Sequence, residues 1–167
     1  MNALDLLLLT SFASAFVAVL ISRNLLGRML LTASYAVQLV ILFKISPQQG
    51  MQSEFSAYVL GFDLHWQMDG TGWFFAVITL GAALLSSWYA SVAYSERESQ
   101  QGRSLILLHA GLAFNVASML LLLSSADLVS LFIGWELVSW AGVLLMIVGG
   151  KAGRDAAIRY VTYAFGG

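Results

Sequence analysis

The sequence predicts an all-α integral membrane protein, a bundle of five transmembrane helices plus the start of a sixth. Three observations lead there. Of its 167 residues, 59% are hydrophobic and only 10% are charged, with a mean hydropathy of +0.82, whereas a soluble domain carries about 25% charged residues. The apolar residues are gathered into runs close to the roughly 20 residues that a helix needs to cross a hydrocarbon core about 30 Å thick. The single Pro, Pro47, falls between runs, so the runs read as unbroken helices.

Taken in order, the runs place spans at 3–22, 29–45, 72–94, 104–124 and 127–148, within one membrane domain covering 1–167. The first has Asp5 at its mouth and Arg23 just past its end. It lacks the basic leader and the small-residue cleavage site of a signal peptide, so it reads as a retained helix. The second is closed by Ser46-Pro47. The outer loop 46–71 holds Ala57-Tyr58-Val59-Leu60-Gly61 and Asp63-Leu64-His65-Trp66, aromatic and β-branched residues flanking glycine, which suit a short hairpin on the membrane surface. Trp66 and Trp73 suit an interfacial aromatic belt. Gly149-Gly150-Lys151-Ala152-Gly153 reads as a turn between helices, and a partial sixth helix is expected over 155–167. Its last ten residues make about 15 Å of helix, half a bilayer, so the tip needs cover from another chain or from further sequence.

Alternate crossings put Arg23, Arg28, Arg97, Arg103, Lys151, Arg154 and Arg159 on one side, seven of the eight basic residues, and leave Lys44 near the other. By the positive-inside rule the basic side is cytoplasmic, which sets the N-terminus outside a cell inner (plasma) membrane. Asp5, Glu54, Asp63, Asp69 and Asp127 gather outside. The net charge of -1 offers no basic surface for nucleic acid. With no Cys, the chain forms no disulfide, iron–sulfur cluster or thiolate metal site of its own. The two His are far apart in sequence, and no phosphate-binding, dinucleotide or hydrolase motif occurs, so no cofactor and no metal are expected.

Glu136 stands out, mid-way along the fifth span between Leu131-Phe132-Ile133 and Leu137-Val138. An ionised acid there costs about 2.5–3.5 kcal/mol on insertion scales, and intramembrane acids mark ion or proton pathways. The alternative is a neutral Glu hydrogen-bonded to a neighbouring helix as a packing pin. Ser139 and Trp140 share its face at i+3 and i+4, with Phe132 at i-4, and Gly134 allows close helix approach. Ser139 has two readings, a bond to the carboxyl or a bond back to its own i-4 carbonyl. His109, one to two turns inside the fourth span, is either a proton-passing group or an imidazole bonded to a helix near the interface. Arg159, one turn into the last helix beyond Arg154 and Asp155, either assists a cytoplasmic proton path or marks the interface. Asn115 reads as interhelical glue, Lys44 as a snorkelling cation and Asp127 as a helix N-cap.

The stretch Asp127-Leu128-Val129-Ser130-Leu131-Phe132-Ile133-Gly134-Trp135-Glu136-Leu137-Val138-Ser139 resembles the fifth-helix motif of the antiporter-like membrane subunits of respiratory complex I, energy-converting hydrogenases and Mrp-type cation/proton antiporters. Met68-Asp69-Gly70 resembles the entry to the family's third helix, and Ala156-Ala157-Ile158-Arg159-Tyr160 the start of its sixth. The resemblance runs in register along the whole chain and covers the N-terminal portion of the family's longer bundle. It implies a proton channel in which Glu136 pairs with a Lys on a later helix, outside this sequence. Trp140-Ala141-Gly142-Val143 departs from the family's usual Ser-Ser-Tyr-like stretch, which leaves H+ and Na+ both open as the cation moved. The implied function is a proton- or Na+-translocating membrane subunit, not catalytic alone but part of an ion-translocating oxidoreductase such as NADH-quinone dehydrogenase. Its partners would be membrane lipid and other membrane subunits. The competing reading is a non-conducting scaffold subunit of such an assembly.

Overall fold

The computed structural model describes residues 1–59 and 61–166. Leu60, and Gly167 at the end of the expected sixth helix, lie outside the described residues. Five helices, α1 (Ala3–Ile21), α2 (Leu25–Leu42), α3 (Gly70–Tyr89), α5 (Leu105–Leu123) and α6 (Leu128–Val148), are long and apolar enough to cross a membrane. A six-residue helix α4 (Ser95–Gln100) and a last helix α7 (Gly150–Gly166) join them. The central member is α5, which packs against α1, α3 and α6, while α2 closes against α1 and α3.

Side chains are sorted as hydrocarbon solvent requires. Ser11, Ser14, Thr32, Gln38, Ser87 and Ser118 are buried between helices, whereas Phe16, Leu20, Leu85, Trp88 and Phe132 point outward and are exposed. The small hydroxyl residues bond one another or a carbonyl one turn back: Thr32 and Ser87 link α2 to α3 at 2.7 Å, and Gln38 donates to Ser14 at 3.1 Å to link α2 to α1.

Each of the five long helices starts on a residue whose side chain accepts from its orphan amides. Asn2 accepts from Leu4 and Asp5, and the Asp5 carboxylate accepts from the Asn2 amide. Asn24 accepts from Gly27 at 2.7 Å, which starts α2 at Leu25, four residues ahead of the expected 29. The helix takes Arg28 inside its first turn, because the guanidinium bonds the Ser91 carbonyl across the bundle and does not need water there. Asp69 accepts from Gly72 and starts α3 two residues ahead of the expected 72. That helix does not stop at residue 94: it passes through a π-helical stretch, Ala90–Tyr94, directly into α4.

The loop between α2 and α3 is a full hairpin. Strand β1 (Met51–Val59) pairs antiparallel with β2 (Phe62–Met68), from Met51 opposite Met68 to Val59 opposite Phe62, with an irregularity between Gln52 and Ser56. It is fastened at both edges. The Asp5 carboxylate accepts from the Ser53 hydroxyl at 2.5 Å and the Glu54 amide at 3.2 Å, which ties β1 to α1. On the other strand Gln67 donates to the Ser124 carbonyl, Ala126 to the His65 carbonyl, and His65 to the Asp127 carboxylate at 2.8 Å. Asp127 is therefore both the N-cap of α6, accepting from Val129 and Ser130, and the clamp on β2.

The turn expected at 149–153 is shorter in the structure, and the helix expected from 155 begins at Gly150. Gly150 has φ +74°, which reverses the chain at once. Gly153 is already helical, and a Cβ there would stand 2.0 Å from the Met146 carbonyl oxygen, so α7 turns tightly back along α6.

The His65 amide, followed by that of Ser130, holds the Asp127 carboxyl below the usual carboxylate range. A carboxyl depressed in the fold stabilises it fully above the unfolded value of about 3.9, and that contribution disappears as pH falls through the lower folded value. Asp127→Ala should cost about 1 kcal/mol through the lost cap. Asp127→Asn should keep most of the cap yet remove the acid-side loss. Thermal midpoints measured from pH 7 down to pH 3 for the two variants and the parent check both statements.

Candidate functional site

Helix α6 is the least buried of the five long helices. One face lies on α5, where a Cβ on Gly134 would stand 2.7 Å from the Leu122 Cα, and Gly111 of α5 packs in turn against Leu145. Leu131, Phe132, Trp135 and Trp140 are exposed around the rest of the circumference. Glu136 is half-buried. At 100° per residue it points about 200° away from Gly134, so α5 is not what it faces. It shares its stripe with Val143 and Ile147, which α7 covers nearer the basic end: those two, with Arg154, Ala157 and Ile158, line a groove of about 360 Å³. By helix rise, Glu136 is about 12 Å from the Leu128 end and about 18 Å from the Val148 end. Among the described residues its carboxyl has neither a hydrogen bond nor an ion pair.

Of the two readings for Ser139, the structure takes the local one: its hydroxyl donates to the Trp135 carbonyl at 3.1 Å. His109 is deeper than its sequence position suggests, 2% exposed, because α4 folds over it. The His109 Nε2 and Ser95 Oγ are 2.9 Å apart, and Ser95 also donates to the Ala90 carbonyl in the π-helical stretch. The contacts of Gly134 with Leu122 and of Gly111 with Leu145 set Glu136 level with about Leu120. His109 is therefore about 16 Å further along the axis, on a different side of α5. Arg159 is exposed on α7, as are Arg154 and Asp155, and Lys44 is exposed just past α2. Asn115 is half-buried midway along α5. The structure does not bring Glu136, His109, Ser139 and Arg159 into one cluster.

A second polar group, at the basic end, left only a faint trace in the sequence. Arg28 is 8% exposed, and its Nε donates to the Ser91 carbonyl at 3.0 Å. Glu98, also buried, accepts from Arg103 Nη1 at 2.9 and 3.1 Å. The one local hint was Asn24, whose capping draws Arg28 into a helix rather than a loop.

No family model matches the sequence, and no curated protein matches it. Among solved structures it is similar to a chain of the membrane-bound sulfane sulfur reductase (MBS), an archaeal respiratory membrane complex, with a TM-score of 0.76 and 22% identity. The match covers 98% of this chain and 25% of that one, so this chain spans a quarter of its length. At that identity the likeness is one of fold. Together with the five apolar helices and their exposed apolar faces, it makes this a multi-pass membrane protein.

The α5–α6 contact fixes which way Glu136 points. Gly134→Ala should destabilise the bundle by about 1–3 kcal/mol, since the backbones must part. Gly142→Ala, where a Cβ meets nothing within 4 Å, should be neutral or slightly stabilising. Unfolding midpoints of the two variants in detergent provide the comparison.

Proposed function

We propose that this chain is a membrane subunit of an ion-translocating, respiratory-type assembly, with Glu136 as its intramembrane proton-handling carboxylate. The observation that carries this reading is the placement of Glu136, half-buried near the middle of α6, turned away from the α5 contact and without a polar partner among the described residues. A carboxyl is rarely kept at such a depth without a role in moving charge. The likeness in fold to a chain of a respiratory membrane complex supports a place among other membrane subunits. The resemblance of the α6 sequence to the antiporter-like subunits supports the role of the acid.

The mechanism follows from charge and solvent. In hydrocarbon a carboxyl favours its neutral form, and a cation brought within about 4–6 Å favours the ionised form. A Lys or Arg from another helix, approaching and withdrawing, would make Glu136 release and take up a proton in turn. The groove lined by Val143, Ile147 and Arg154 begins about two turns from Glu136 on the same stripe, toward the basic end, and Arg159 is one turn beyond Arg154. With that end cytoplasmic, the hairpin and the N-terminus lie outside a cell inner membrane. His109 serves a different place in the bundle, and Ser139 contributes an acceptor lone pair beside the acid. H+ and Na+ both remain candidates for the cation moved.

One observation favours the second reading, a non-conducting scaffold: no cation among the described residues pairs with Glu136. The experiment separates the two. In the assembled complex reconstituted into vesicles, Glu136→Gln should abolish proton uptake, followed with a pH-sensitive dye, with subunit composition unchanged. Glu136→Asp should retain part of the rate. Undiminished pumping by Glu136→Gln would leave the scaffold reading in place. Repeating the assay with and without Na+ identifies the ion.

A further inference from the structure

We propose that the polar cavity at the basic end of the bundle binds the phosphate of an anionic phospholipid headgroup. The cavity, about 320 Å³, is lined by Arg23, Arg28, Ser95, Glu96, Ser99 and Gln100. It lies where the first turn of α2 meets α4, and it does not involve Glu136.

The argument starts from Arg28. Its side chain is over nine-tenths buried, yet only Nε is bonded, to the Ser91 carbonyl made available by the π-helical stretch. Its two terminal nitrogens have no hydrogen bond or ion pair among the described residues. Neither nitrogen is sealed off, so the guanidinium is presented to the cavity without a protein anion, and the neighbouring buried carboxylate, Glu98, is committed to Arg103. The cavity itself holds two guanidinium groups against one carboxylate, Glu96, so it carries a net positive charge. The Ser95 hydroxyl is engaged with Ala90 and His109, which leaves Ser99, Gln100 and the two arginines as donors. A planar guanidinium fork presented to an oxyanion suits phosphate.

The lipid source follows from what surrounds the mouth. Leu25 and Met29, which flank Arg28 on the surface of α2, are both exposed and apolar. They offer an acyl chain a surface that a soluble phosphate does not use. Basic pockets at the ends of transmembrane helices commonly hold anionic headgroups.

The test uses the purified assembly containing the full chain, stripped of lipid in mild detergent and offered phosphatidylglycerol or phosphatidylcholine, with bound lipid counted by native mass spectrometry. Phosphatidylglycerol should be retained and phosphatidylcholine should not. Arg28→Gln and Arg23→Gln should each weaken retention about fivefold, the effect of one basic residue at an anionic headgroup. Glu96→Gln should strengthen it, which a merely structural cluster would not produce. Arg23 and Glu96 are exposed, so their variants decide the matter even if Arg28→Gln fails to fold. Equal retention of both lipids, or wild-type retention in Arg23→Gln and Arg28→Gln, would overturn the proposal. Full displacement by millimolar inorganic phosphate would overturn the lipid assignment and give the site to the free ion.

Discussion

In hydrocarbon a polar group has no water to fall back on, and the whole bundle is arranged around that fact. Backbone groups are satisfied within helices, and the hydroxyls of Ser11, Ser14, Thr32 and Ser118 bond a carbonyl one turn back. Thr32 and Ser87 also join α2 to α3, and Ser14 and Gln38 join α1 to α2. Where the rule is relaxed, at the π-helical stretch, the freed Ser91 carbonyl takes a bond from Arg28 and the Ala90 carbonyl one from Ser95. Only Glu136 lies deep in a long helix as an acid without a polar partner among the described residues. That contrast, more than its charge alone, distinguishes it.

The α5–α6 pair sets the geometry of the site. Close approach at Gly134 presses one face of α6 against α5 and thereby commits the opposite face outward. The tight corner at Gly150 and Gly153 then lays α7 along the same side as Glu136. Two glycine-mediated contacts thus determine both where the acid points and which helix lies nearest its stripe.

Much of the architecture could be read from residues alone, because bilayer thickness imposes a length that apolar runs either meet or miss. Asp127 as a cap, Gly134 as a point of close approach and the hairpin-forming loop were legible for similar local reasons. What was not legible depended on distant partners. The start of α2 moved because Arg28 finds a carbonyl on Ser91, far along the chain, and the depth of His109 depends on α4 folding back over it. The hairpin's extent depends on pairing with Ser124, Ala126 and Asp127 as well as within itself. At the candidate site, the position of Glu136 in its helix was plain, whereas the engagement of Ser139 with Trp135 and the separation of His109 from Glu136 required the packed bundle.

The hairpin's two fastenings also bear on how the chain is made. Asp5 reaches Ser53 and Glu54 as soon as two helices and one strand have emerged, so one edge can be secured early. The other edge waits for Ser124, Ala126 and Asp127, which leave the ribosome after three more helical segments. Until then the hairpin is held by one side only, and its final closure waits until α5 has been made. The strand pair at that end of the bundle is therefore fastened in two stages, first to α1 and last to the turn between α5 and α6.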